Sequence, residues 1–176
     1  MDAYVMIATK AIEKYVKTYR KLTLIEVVDD LTEELYNHLT SERAGAFVSI
    51  HKNKQLRGCI GTTEATTDHL FDEIVYCAIS ACSSDPRFNP VREEELPLLE
   101  IKVDRLYPAE VIDSLDVLDV IKYGVIVEKG TKRGLLLPNL DGVNNVDEQV
   151  SIALNKAGIS GLEGVTISRF EVERHS

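Results

Sequence analysis

The sequence predicts an α+β fold, with a mainly antiparallel sheet and flanking helices. Three observations carry this. Two pairs of strand-like runs, at 46–62 and 124–137, are each joined by a short polar stretch, which is a hairpin pattern. Three longer segments place apolar residues at three-to-four spacing, the mark of a helix with one buried face. Hairpins outnumber the places where a crossover could join parallel strands, so antiparallel pairing dominates.

The first helix covers Ala3 to Tyr19, where Val5, Ala8, Ile12, Tyr15, Val16 and Tyr19 form an apolar stripe. A shorter helical piece lies near Asp29 to Leu39. Two strands follow, Ala46 to His51 and Leu56 to Thr62, with Asn53-Lys54 turning the chain where Asn-Gly is more usual. The second long helix runs from Asp68 to Ala81 and buries Leu70, Phe71, Ile74, Ala78 and Ala81, with Thr66 or Thr67 as its cap. It ends before Ser84-Asp85-Pro86, because proline disfavours helical geometry in the residue ahead of it. Leu98 to Tyr107 alternates as a strand, with Glu100, Lys102 and Asp104 on one face and Leu99, Ile101 and Val103 on the other. Pro108 closes it.

Val111 to Ile121 shows no clear period. Gly124 to Glu128 and Gly134 to Leu137 make the second hairpin, turning at Lys129 to Arg133 and stopped by Pro138. A third long helix fits Val146 to Lys156, with Val150, Ala153 and Leu154 inward and Gly158 as terminator. Val165 to Val172 is the last strand, and its alternation slips between Ile167 and Phe170. No repeat or low-complexity linker marks a domain cut. A division into two lobes would fall in Asp85 to Leu98 or Val111 to Ile121.

At 176 residues and 44% hydrophobic content, the chain can bury one ordinary core or two small ones. No apolar run approaches the roughly 20 residues of a membrane span, and the N-terminus shows no secretory signal, so a cytoplasmic protein is expected. A net charge of −9, an aromatic content of 6% and no tryptophan argue against nucleic-acid binding. Three widely spaced cysteines make no disulfide framework. The four histidines show no metal-ligand spacing, so neither a metal nor a cofactor is expected.

Chemistry concentrates in Leu56-Arg57-Gly58-Cys59-Ile60-Gly61-Thr62. One thiol sits between Gly58 and Gly61, where a ligand or another backbone can come close, and beside Arg57, whose charge favours the thiolate. The plainer reading is a cysteine packed as a small hydrophobe. With a two-residue turn, Ile50 pairs with Arg57 and Val48 with Cys59, which puts His51 on the opposite face from the thiol. A bulge would reverse that. In Ser84-Asp85-Pro86-Arg87-Phe88, Arg87 can hold a carboxylate or phosphate through its planar fork. The alternative is a self-satisfied turn, with Asp85 accepting backbone hydrogens and Arg87 pairing with Glu93 or Glu94. Lys129-Gly130-Thr131-Lys132-Arg133 reads better as a hairpin tip than as a phosphate loop. Glu93-Glu94-Glu95 reads as a solvated acidic face.

Taken in order, Gly45-Ala46-Phe47-Val48, the Leu56 to Thr62 stretch, Asp85-Pro86-Arg87-Phe88 and Arg133-Gly134-Leu135-Leu136-Leu137-Pro138 resemble the AMMECR-type domain. Lys156-Ala157-Gly158 fits the end of that family's last helix, and the match covers nearly the whole chain. After Pro138 the chain lacks the Glu and the aromatic residue that many relatives carry. The short form belongs to the AmmeMemoRadiSam system, named for a Memo-type protein and a radical S-adenosylmethionine protein. The resemblance implies a single AMMECR-type domain over 1–176, two unequal and closely packed subdomains, and a cleft near the Cys59 strand. It implies no particular reaction.

Two functional expectations follow. The first is a component of a multi-protein modification system, with Cys59 as a reactive thiol. Arg57, Gly58, Gly61, Asp85, Arg87 and Arg133 would then hold an anionic small molecule or nucleotide, Asp85 orienting Arg87. Its partners would be the Memo-type and radical S-adenosylmethionine proteins. The second is a non-catalytic adaptor, in which the same arginines recognise a partner protein or nucleotide.

Overall fold

The computed structural model describes every residue from Met1 to Ser176. Its helices are α1 (Ala3–Thr18), α2 (Glu33–Ser41), α3 (Leu70–Ser83) and α4 (Val146–Ala157). Its strands are β1 (Ala46–Lys52), β2 (Gln55–Gly61), β3 (Leu99–Leu106), β4 (Glu110–Ile112), β5 (Gly124–Lys129), β6 (Lys132–Leu136), β7 (Thr166–Phe170) and β8 (Val172–His175). They make two four-stranded sheets, ordered β2-β1-β3-β8 and β4-β7-β5-β6. The pairings of β1 with β2 and β3, and of β7 with β4 and β5, are antiparallel, so the fold is α+β.

Two compact units result: residues 1–106 with 173–176, and residues 107–172. The cut after Leu106 falls between the two stretches where the sequence placed it. Nothing in composition marks it, because β3 simply runs out at Tyr107-Pro108.

In the first unit, Asp2 starts α1 by accepting the N–H groups of Tyr4 and Val5 at 2.8 and 3.3 Å. The expected stripe is buried at Val5, Ala8 and Ile12, and Tyr19 ends the helix in the left-handed region at φ 56°. Helices α1 and α3 cover one face of the sheet, where Val48, Ile50, Ile101 and Val103 are buried. Alternation therefore turns Phe47, Ser49 and His51 of β1, with Asp104, Lys102 and Glu100 opposite them on β3, to the other face.

Helix α3 begins at Leu70 with His69 as N-cap, and no side chain caps it. Thr66 and Thr67 do different work. Together with Thr62 they donate to Glu73, which is fully buried one turn into the helix. That carboxylate receives five hydrogen bonds of 2.7–2.9 Å and pins the chain between β2 and α3. Burial alone would raise its pKa, yet the bonds from the three threonines outweigh it and the net shift is downward.

In the second unit, α4 packs on β5 and β6 around Val125, Val127, Leu136, Val150 and Ala153. Asn145 caps α4 through the N–H of Glu148 at 2.9 Å, and Gly158 ends it at φ 67°. The hairpin turn is tighter than expected: Lys129 pairs with Lys132, leaving Gly130-Thr131 as the loop. The ambiguous stretch resolves into the short edge strand β4 and a single turn of 3₁₀ helix at Leu115–Val117. The register slip near Phe170 marks a change of sheet, since β7 pairs in the second sheet and β8 in the first.

Candidate functional site

The site lies on β2, an edge strand, and its geometry starts at the turn. Asn53 and Lys54 both take left-handed φ values, 52° and 64°, as a two-residue hairpin loop requires. Lys52 pairs with Gln55 and His51 with Leu56, as expected. The register then shifts: Ile50 pairs with Gly58 and Ser49 with Cys59. Arg57 is the extra residue of a β-bulge, and that single insertion exchanges the faces of everything beyond it. The expected Val48–Cys59 pairing is corrected. Cys59 faces away from the helices, on the side of Ser49, Phe47 and His51.

The bulge also explains the two glycines. Gly58 faces α3, where any Cβ would run into the Ala81 carbonyl oxygen; at Gly61 it would run into the Phe47 ring. The close approach that these glycines permit is thus filled by the protein's own atoms. Arg57 is held on the helix side. Its Nε and Nη2 donate to the two carboxylate oxygens of Glu95 at 3.0 and 2.9 Å, and its remaining donors reach the carbonyls of Asn89 and Pro90 at 2.9 and 3.3 Å. Lys52 adds a bond to Glu95 at 2.8 Å. Arg57, first among the causes, holds the Glu95 carboxyl down at about 2. Glu95 is buried rather than solvated, which corrects the reading of the acidic run. Two turns of 3₁₀ helix, Glu93–Leu98, leave Glu93 and Glu94 outside and point Glu95 inward.

An edge strand presents N–H and C=O groups with no neighbouring strand to bond them. At Cys59 the Asp85–Arg87 pair takes that place. Asp85 Oδ2 accepts the Cys59 N–H at 2.9 Å, and Arg87 Nη2 donates to the Cys59 carbonyl at 3.4 Å. The loop that presents them is a turn closed by the Phe88 N–H to the Asp85 carbonyl at 3.1 Å, with Pro86 setting φ at its second position. Asp85 also accepts the Arg87 N–H at 3.0 Å, Nε at 3.1 Å and Nη2 at 2.8 Å. Bonds from Arg87 hold Asp85 at about 2, so it stands ionised and poorly suited to act as a base. Arg87 therefore pairs with Asp85 rather than with Glu93 or Glu94. Its guanidinium is half exposed, and Cys59 is among the charges that raise its pKa, after Asp85. Arg87 is thus coupled to Cys59, and Arg57 to Cys82.

None of the three cysteines is in a disulfide, and their surroundings are unequal. Cys77 and Cys82 are buried and pushed up to about 12 and 11 by desolvation; Cys59 is partly exposed. The structure thus groups Arg57, Gly58, Cys59, Gly61, Asp85 and Arg87 on the first unit. Arg133 stands on β6 of the second unit, where its Nε donates to Glu128 at 3.1 Å across the hairpin. No group of three or more His, Cys, Asp or Glu side chains is arranged to hold a metal ion.

The chain resembles proteins from bacteria and archaea. A protein of Thermotoga maritima is 48% identical over 174 residues, covering 98% of this chain and 96% of its own. Protein CA_C1420 of Clostridium acetobutylicum is 44% identical over 99% of this chain, which spans only 36% of that protein's length. The crystal structure of the uncharacterized protein PH0010 from Pyrococcus horikoshii superposes with a TM-score of 0.86 at 29% identity, covering 98% of this chain and 88% of that one. The AMMECR1 family model matches residues 5–175, through both sheets and the bulged strand. With that match and those relatives, the chain belongs to the AMMECR1 family.

Proposed function

We propose that this protein is one component of a multi-protein modification system, acting with Memo-type and radical S-adenosylmethionine proteins, and that Cys59 is its reactive or acceptor thiol. One observation carries the reading. An ionised Asp85–Arg87 pair grips both backbone polar groups of Cys59, so the one partly exposed thiol is presented by a strand fixed on either side. Arg87, half exposed beside that thiol, is the group to hold an anionic small molecule or nucleotide, with Asp85 orienting it. Arg133, on the second unit, is a separate candidate contact for an anionic partner. The family match runs through both units, which in this reading work as one functional domain. The Clostridium relative carries much additional chain beyond the shared segment, as expected of a domain that works beside a partner. No helix is long and apolar enough to cross a membrane. A reactive Cys59 would work best in a reducing compartment such as the cytoplasm, where thiols are kept from forming disulfides.

The test is genetic and chemical. A strain lacking the gene is compared with its parent by untargeted mass analysis, then complemented with wild-type or Cys59→Ser protein. The wild type is expected to restore a missing modified molecule and Cys59→Ser to fail. Full restoration by Cys59→Ser would transfer the function to the adaptor reading, in which Arg87 and Arg133 recognise a partner. In the purified protein, Cys59 is expected to alkylate at neutral pH faster than an unstructured thiol, while Cys77 and Cys82 stay inert.

A further inference from the structure

Resting on the reading of Cys59 as a reactive thiol, we infer that His51 is the proton acceptor that ionises it, brought to the same face of the sheet by the Arg57 bulge. Register brings the two residues to one face. Without a bulge, β1 and β2 would place Cys59 with Val48 under the helices and leave His51 on the far side. With Arg57 inserted, Ser49 pairs with Cys59, and His51 is the next residue of β1 on that same face. The Cys59 N–H goes outward to Asp85, so Ser49 and Cys59 form a non-hydrogen-bonded pair, the kind in which side chains lie closer. Diagonal neighbours on such a face stand about 7–8 Å apart at the backbone, within reach of an imidazole ring.

The surroundings suit a proton transfer. His51 is partly buried, and its Nδ1 is shielded from solvent. Across β3, Glu100 stands opposite His51 and Lys102 opposite Ser49. Further along, Asp104 is opposite Phe47 and is paired with Arg174 at 2.7 Å. From the β2 edge, Arg87 adds positive charge next to Cys59, and its partner Asp85 is already bonded to the Cys59 backbone. Glu100 favours the protonated imidazole, while Arg87 and Lys102 favour the thiolate. The S–H proton passes to an imidazole nitrogen, and the bonding pair stays on sulfur. A neutral pair thereby becomes a thiolate–imidazolium pair with no change in total charge.

The measurement is the alkylation rate of Cys59 by iodoacetamide in the full chain, resolved by site with mass spectrometry between pH 5 and 9. An ordinary thiol is under about 1% ionised at pH 6, so a paired thiolate gains roughly a hundredfold in population there. Its lower basicity gives back about tenfold in nucleophilicity, which leaves a net advantage of about tenfold. His51→Gln is expected to lower the rate about tenfold at pH 6 and to leave it unchanged at pH 9. In parallel, Cys59→Ser is expected to lower the pH midpoint of the His51 ring, followed by NMR, because the thiolate partner is gone. A His51→Gln protein that keeps the fast wild-type rate at pH 6 overturns this inference and leaves the proposed function standing. A wild-type profile matching an unstructured thiol overturns both. Should His51→Gln fail to fold, an unchanged His51 midpoint in Cys59→Ser overturns the pairing.

Discussion

Replacing Glu73 with glutamine removes one charge and changes almost no volume, which makes it a direct test of how the Cys59 strand is anchored. The carboxylate accepts hydroxyl hydrogens from Thr62, Thr66 and Thr67 and backbone hydrogens from Thr66 and Thr67. An amide can keep its oxygen on the three donors that Oε2 now serves, while its NH₂ faces the Thr62 and Thr66 hydroxyls, which rotate to accept. Those three bonds fall from charge-assisted to neutral, a loss of about 1 kcal/mol each. The offset is that an amide is cheaper to bury than a carboxylate. The net cost is about 2–3 kcal/mol in the urea unfolding of the first unit at pH 7. The sign of the pH dependence follows from the lowered folded pKa. The carboxylate stabilises the fold above its ordinary value of 4.5, and that contribution disappears as the pH falls through the folded value. The gap between wild type and Glu73→Gln must therefore shrink in acid. A cost under about 0.5 kcal/mol at pH 7, or a gap that persists at pH 3, would refute the anchoring role.

Two further predictions concern the same hairpin. Lys54 holds φ 64° in a turn that favours glycine, so Lys54→Gly is expected to raise the thermal midpoint, with a gain of about 0.5–1 kcal/mol in equilibrium unfolding; a loss would mean the side chain makes a contact that outweighs the strain. Arg57→Lys replaces a two-pronged bond to Glu95 with a single point charge, and is expected to cost about 1–3 kcal/mol at pH 7. Because Glu95 is held at about 2, the difference should narrow as the pH drops from 4.5 toward that value, read from urea midpoints across the acid range.

Much of the fold could be read from periodicity. The stripes of α1, α3 and α4 and the alternation of β3 fell within two or three residues of the observed elements, because each has one face that must be buried. The change of sheet at Glu171 was visible only as a slip in alternation, since β7 and β8 are each too short to carry a period of their own. The roles of Thr66 and Thr67 went unread for a different reason. Both residues sit where a helix cap belongs, and only the fold shows that a buried glutamate on the next turn collects their hydroxyls.

For the candidate site, residue types were legible and their faces were not. Asp85, Arg87 and Cys59 stand out in the sequence as reactive kinds of residue, but a period of two turns any inserted residue into an error at every position beyond it. The insertion at Arg57 carries no signature of its own. Its cause is in the tertiary structure: the Glu95 carboxylate and the carbonyls of Asn89 and Pro90 form a pocket for one guanidinium on the helix side, and β2 must swell to deliver it. The same swelling seats Gly58 against Ala81 and leaves Cys59 free of the helices. Arg57 thus shapes the thiol's surroundings by where it forces the strand to go, its guanidinium held on the helix side by Glu95. Through register, this one residue determines which side of the sheet the chemistry faces.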